Sequence, residues 1–125
     1  MVVGIGNIGT ALLNHKGFEK EGIKIVAGFD VNSQEHNAVN RIPVFPMERL
    51  KNFVEEKDIK IGIISVPESA AQEVLDIMIS AGIKGVLNFA PITLRTHTGC
   101  IINNVNLSLE LETVIYFVKS LEKKV

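Results

Sequence analysis

Cysteine is almost absent from the 125 residues, tyrosine occurs once and tryptophan not at all. The single thiol, Cys100, excludes an internal disulfide framework and suits a reducing compartment, so the cytoplasm is the expected location. No apolar run reaches the roughly 18 residues that span a bilayer, and no membrane association is expected. The opening residues read as strand, glycine turn and helix rather than as a secretion signal. Neither sign of charge is in excess: thirteen Lys and Arg stand against fourteen Asp and Glu. Phosphate contacts supply most non-specific nucleic-acid affinity and leave a basic footprint, so this chain alone should not hold DNA tightly. His15, His36 and His97 lie in unrelated contexts, and no Cys or His pair has metal-ligand spacing; no metal site is expected. Nor does a catalytic constellation emerge. Ser65 sits inside an apolar run without a G-x-S-x-G elbow, and Cys100 reads as a small core residue rather than a nucleophile.

What is present is a globular composition, 46% hydrophobic and 22% charged, in which short β-branched runs alternate with helical stretches. Met1–Val3 reads as a clipped first strand and 4–9 as a glycine turn. A helix starts at Thr10 and fades across 17–22. Ile23–Phe29 reads as a second strand ended by Asp30, and Pro43–Phe45 as a short apolar piece. Pro46 can occupy the first turn of a helix running to about Lys57, where a missing N–H is harmless. Ile61–Val66 forms a third long strand. Ser69–Ala81 follows as a helix with Ala70, Val74, Ile77 and Met78 on one face, closed by Gly82. Gly85–Phe89 and the short Ile101–Asn103 complete the strands, and Asn104 or Asn106 can cap a final helix to about Glu122. Near-continuous apolar strands separated by helices imply a parallel sheet covered on both faces, an α/β architecture in one domain, residues 1–125. Only three residues precede Gly4, whereas a strand before a glycine loop is usually about five long. The chain therefore reads as a piece of something longer.

The run Gly4-Ile5-Gly6-Asn7-Ile8-Gly9 fits G-x-G-x-x-G after a strand and at the opening of a helix. The first glycine permits the tight turn, the second lets the backbone approach a pyrophosphate, and the third lets helix and strand pack closely. Asp30 ends the second strand about twenty residues on, where this Rossmann fingerprint expects an acid for the ribose hydroxyls. A carboxylate there repels a 2′-phosphate, and residues 31–35 supply no arginine to reverse that. NADH and NAD are therefore the expected cofactors, rather than their phosphorylated forms. Val66-Pro67 and Asn88-Phe89-Ala90-Pro91 end two further strands, at the carboxyl edge where α/β sheets bind ligands. Both segments should border the cofactor, with the Asn88 amide available to a nicotinamide carboxamide; the alternative is that Pro67 and Pro91 merely stop strands. In the final helix, Leu107, Leu111, Val114, Ile115, Val118 and Leu121 form an apolar stripe that either packs on its own sheet or is exchanged with a second subunit.

The run from Val3 to Leu12 resembles the start of the sensor domain of Rex-type redox-sensing transcriptional repressors. Phe29-Asp30-Val31, Ile42-Pro43-Val44, Ile64-Ser65-Val66-Pro67, residues 81–85, residues 87–91 and residues 104–107 continue the resemblance in family order. It implies a homodimer in which an N-terminal winged-helix domain, absent from this chain, binds operator DNA. The Rossmann domain reads the NADH/NAD+ ratio, performs no chemistry on the cofactor, and releases DNA when NADH binds. Residues 104–125 would form the domain-swapped dimerisation helix, with Leu107 entering the partner's nicotinamide pocket. Two positions depart from the family: His15 stands where a tyrosine is usual, and Asn106 where an aspartate is usual. Together with a winged-helix arginine, these positions resemble the polar contact set linking cofactor state to the DNA-binding domain. Asn106 lacks the charge that a carboxylate offers an arginine, while His15 can supply a donor and a pH sensitivity of its own. Two other readings share parts of the pattern. One is a CoA-binding domain of an acyl-CoA synthetase-like enzyme, against which Asp30 argues because CoA carries a 3′-phosphate. The other is the cofactor half of an NAD-dependent dehydrogenase, whose catalytic group would lie in another domain.

Overall fold

The structure, a computed structural model, describes residues 1–32, 37–95 and 99–123. Seven strands form one sheet: β1 (Val2–Val3), β2 (Gly28–Asp30), β3 (Asn37–Val39), β4 (Ile42–Pro46), β5 (Ile61–Ile64), β6 (Gly85–Asn88) and β7 (Ile101–Asn104). Their spatial order is β3-β4-β2-β1-β5-β6-β7. Every neighbouring pair is parallel except β3 with β4. The helices are α1 (Asn7–Leu13), α2 (Gly17–Lys20), α3 (Leu50–Lys57), α4 (Glu68–Ala81) and α5 (Leu107–Lys123).

The main core lies between one face of the sheet and α3 with α4. Leu50 and Val54 of α3 and Ala71, Leu75 and Met78 of α4 bury against Phe29, Ile64 and Val86. Gly62 permits this contact, since a Cβ there would collide with the Met78 side chain. On the opposite face, α1 buries Leu13 over Val2 and Val44. That cover is uneven. No described residue between β6 and β7 is helical, so the second face of β5, β6 and β7 stays open. Ile61 and Ile101 flank Gly85 in register and are 62% and 76% exposed.

The α/β sheet with helices on both faces is as the sequence predicts; several boundaries differ for physical reasons. The second strand was expected over Ile23–Phe29, but β1 is two residues long and β4 pairs only with Gly28–Asp30, so beyond the Ala27 carbonyl, which accepts the Val2 N–H, residues 23–26 have no ladder to join. The first helix starts at Asn7, not Thr10, and the fading stretch contains the separate turn of α2. The antiparallel pair β3–β4 was not foreseen. Its two-residue turn, Asn40-Arg41, takes positive φ at both positions without the glycine that usually signals it. Pro46 ends β4 instead of opening the helix, which begins with a 3-10 turn at Met47 and becomes α3 at Leu50. Gly82 closes α4 in the left-handed conformation, φ 114°. The buried stripe of α4 runs through Ala71, Val74, Leu75 and Met78, with Ala70 and Ile77 at its half-buried margins. Asn106 caps α5, its Oδ1 accepting the Leu109 N–H at 3.0 Å, and no residue of that helix is buried.

Candidate functional site

At the carboxyl ends of β1, β2 and β5 the chain forms a groove of about 620 Å3, within the roughly 300–1,000 Å3 range of small-molecule sites. The 4–8 stretch supplies one wall, Asp30 and Asn32 one end, and Val66, Pro67 and Ala70 the other side. The three loop glycines are required for three different reasons. Gly4 has φ +95°, and a Cβ on it would stand 2.6 Å from the Ser65 carbonyl oxygen. A Cβ on Gly9 would collide with the Gly4 carbonyl oxygen, so this glycine lets α1 sit against the loop. Around Gly6 a Cβ would meet no protein atom within 4 Å. Neither packing nor φ (−88° at this residue) calls for glycine there. The space it leaves open faces the groove beside the first turn of α1, which has neither a side-chain cap nor an acidic residue. Orphan N–H groups at such a turn favour an anion.

Asp30 is fastened to this loop. Its Oδ2 accepts the Ile5 N–H at 2.7 Å and its Oδ1 accepts the Asn32 N–H at 3.0 Å. A carboxylate accepts about four hydrogen bonds, so among the described residues each oxygen keeps one lone pair without a partner. Asp30 also borders a second hollow of about 350 Å3 with Ile5, Asn37 and Val39, which extends the groove toward the β3–β4 hairpin.

Ser65 is the residue that sequence reasoning missed. Its hydroxyl donates to the Gly4 carbonyl at 2.6 Å, with the Val3 carbonyl at 3.3 Å, and its N–H donates to Val3 at 2.8 Å. It pins the glycine loop to β5. The available signal was a lone hydroxyl inside the apolar run 61–66, read only against a nucleophile elbow.

The 88–91 segment begins at the last residue of β6 and is not part of the groove lining. The Asn88 amide, expected to face a nicotinamide carboxamide, is committed inside the protein. It is 0% exposed, and its Nδ2 donates to the Ile92 carbonyl at 2.8 Å and Asn104 Oδ1 at 2.9 Å. Its Oδ1 accepts the Ala90 N–H at 2.9 Å. Asn104 Oδ1 in turn accepts the Leu94 N–H at 3.0 Å. The pair braces the turn that carries Phe89, Ala90 and Pro91. Ala90 is buried, Phe89 half-buried and Pro91 exposed.

His15 is exposed after α1, edge-on to Phe18 with ring centroids 4.6 Å apart. Asn106 and the 52% exposed Leu107 open α5, and no hydrogen bond joins His15 to Asn106. Cys100 is half-buried against the core, and burial raises its thiol pKa while Lys84 opposes the shift. Among the described residues no group of three or more His, Cys, Asp or Glu could hold a metal, and no helix is long and apolar enough to cross a membrane. His36 and His97 lie outside the described residues.

The family described as CoA binding domain matches residues 1–92. The redox-sensing transcriptional repressor Rex of Lactobacillus acidophilus is 40% identical over 120 residues, 95% of this chain and 57% of that protein. Its namesake in Levilactobacillus brevis is 37% identical over 98% of this chain and 58% of its own length. Among solved structures, RSP, a Rex-family repressor, superposes with a TM-score of 0.88 at 35% identity, covering 97% of this chain and 58% of that one. The same repressor in complex with β-NAD+ and operator DNA gives 0.88 at 36% identity, and in complex with β-NADH 0.87 at 36%, each over 98% of this chain and 58% and 61% of the other. The chain thus spans little more than half the length of the relatives it matches.

Proposed function

The chain belongs to the CoA-binding-domain family, its relatives over almost its whole length are Rex redox-sensing repressors, and on that premise we propose that it is the NADH/NAD+-reading domain of a dimeric repressor that leaves its operator when NADH binds. The observation that carries this reading is the open space over Gly6 next to a carboxylate, Asp30, hydrogen-bonded to the same loop. The pyrophosphate stands against Gly4, Gly6, Asn7, Ile8 and Gly9, and the adenosine ribose shares its diol with the Asp30 carboxylate. Val66 and Pro67 flank the dinucleotide, and Phe89, Ala90 and Pro91 border its nicotinamide half on a turn that Asn88 holds in shape. The cofactor is sensed rather than consumed, in keeping with relatives named as repressors and not enzymes.

The dimer forms through α5. Its stripe of Leu111, Val114, Ile115, Val118 and Leu121 lies exposed along a helix of 17 residues, and a helix in a protein draws most of its stability from packing such an apolar face. The uncovered face of β5–β7 supports the same reading, since the fold leaves both apolar surfaces to a second copy. Leu107 enters the partner's nicotinamide pocket, and His15 and Asn106 occupy the positions that report cofactor state to the DNA-binding domain. That domain is a winged helix outside this chain, and it holds the operator; the balanced charge of these 125 residues supports that division. The site of action is the cytoplasm.

Parallel calorimetric titrations with NADH, NAD+, NADPH and CoA test the assignment. NADH should bind tightest, and both ligands with a phosphate on the adenosine ribose should bind weakly because Asp30 repels it. Binding of CoA with indifference to NADH would instead make the chain a CoA module, as its family's description suggests.

A further inference from the structure

We propose that the chain carries a second binding pocket, for a small organic anion with an apolar body, at the end of α1 opposite the glycine loop. A cavity of about 680 Å3 opens there between α1, α2, the segment before β2 and the turn of the β3–β4 hairpin. It shares no lining residue with the groove at the glycine loop, so the inference stands whether or not that groove takes NADH. Its floor is apolar: Leu13 is buried, and Leu12, Ile25 and Ile42 are half-buried. Its rim is cationic, with Lys16, Lys20, Lys24 and Arg41 against a single carboxylate, Glu19. None of the four cations forms an ion pair among the described residues. In a chain of net charge −1 this is a local concentration of one sign. Cations gathered over a low-dielectric wall focus a positive potential and repel one another until an anion neutralises them.

The turn that presents Arg41 strengthens the argument. Asn40 and Arg41 have φ of 50° and 64°, a conformation in which glycine is at ease and arginine is not. The Asn40 amide donates to the Leu13 carbonyl at 3.1 Å, fastening the turn to the cavity floor. Positions where local preference is overridden are expected to be functional or strained sites. Here the turn delivers a guanidinium, the side chain best suited to a carboxylate or phosphate, to the mouth of a cavity with an apolar floor. The ligand class is therefore a carboxylate or phosphate monoester on a short hydrocarbon body. His15 also lines the cavity, so an occupant touches the position to which the proposed redox switch is assigned.

The probes are octanoate and octyl phosphate, with octanol and octyltrimethylammonium as neutral and cationic controls, followed by heteronuclear NMR of the chain. Anion-induced shifts should centre on Phe18, Asn40 and Ile42. Octanol should bind at least about tenfold more weakly, and Lys20→Glu and Arg41→Glu should each weaken anion binding by about tenfold. Lys57→Glu, on α3 across the sheet, should leave it unchanged. Binding of only one of the two anions also supports the pocket and tells which headgroup it accepts. Equal binding of octanol, equal weakening by Lys57→Glu, shifts confined to Tyr116 and Phe117 of α5, or no shifts with either anion would each overturn it.

Discussion

Gly6 and Ser65 mark the two limits of what single residues disclose. The glycine fingerprint was legible because each glycine answers a local steric demand that short-range spacing encodes. The structure separates those demands, with Gly4 and Gly9 fixed by collisions inside the protein and Gly6 by none. Ser65 was not legible in its role, because the carbonyls it meets lie more than sixty positions earlier in the chain. Asn88 was legible as a strand-end polar residue but not as a buried brace, since its partner Asn104 is sixteen residues away. The absence of internal contacts at Gly6 makes it the cleanest probe of the groove. Gly6→Val should leave a folded chain with a cooperative unfolding transition, because a Cβ there meets no protein atom. It should weaken NADH binding by about a hundredfold or more, roughly 2.7 kcal/mol, by standing where the pyrophosphate must lie. A folded Gly6→Val chain with parental affinity in calorimetry would move the cofactor elsewhere.

The long apolar runs and the capped α4 could be read from sequence because periodicity and a closing glycine are local signals. The β3–β4 hairpin could not, because Asn40-Arg41 lacks the glycine that announces a two-residue turn, and the length of β2 depends on neighbours the sequence does not show. The apolar face of α5 was legible as a stripe, but periodicity left open whether it packs on its own sheet. In the structure it does not, for no residue of α5 is buried. This helix can be removed without touching the brace at Asn88 if the cut preserves Asn104. A chain ending at Asn106 should therefore keep the denaturant midpoint of the folded sheet while sedimenting as a monomer, where the full chain should sediment as a dimer. A truncated chain that remains dimeric would assign self-association to another surface.

A second apolar surface is visible in the way the layers are distributed. A doubly wound sheet normally hides both faces because each crossover places a helix on one of them. Here the crossovers through α3 and α4 cover one face, α1 covers the opposite face near β1 and β4, and the passage to β7, in which no described residue is helical, leaves a gap. Across that gap Ile61, Gly85 and Ile101 stand side by side, and the same molecule displays an equally unpartnered helix. Two apolar surfaces left open by one fold are satisfied together if a second copy brings its α5 against the bare strands, which buries both in a closed, isologous arrangement. A lysine in the gap should oppose this without disturbing the fold, since Ile101 is 76% exposed in the single chain. Ile101→Lys should thus leave the melting transition and NADH binding of the isolated domain intact and weaken dimerisation by about tenfold, some 1.4 kcal/mol, in sedimentation equilibrium. An unchanged dimer constant would show that α5 finds its partner surface away from β7, and would point to the outer face of α1 around Ile8 and Ala11, which also lines a hollow of about 430 Å3.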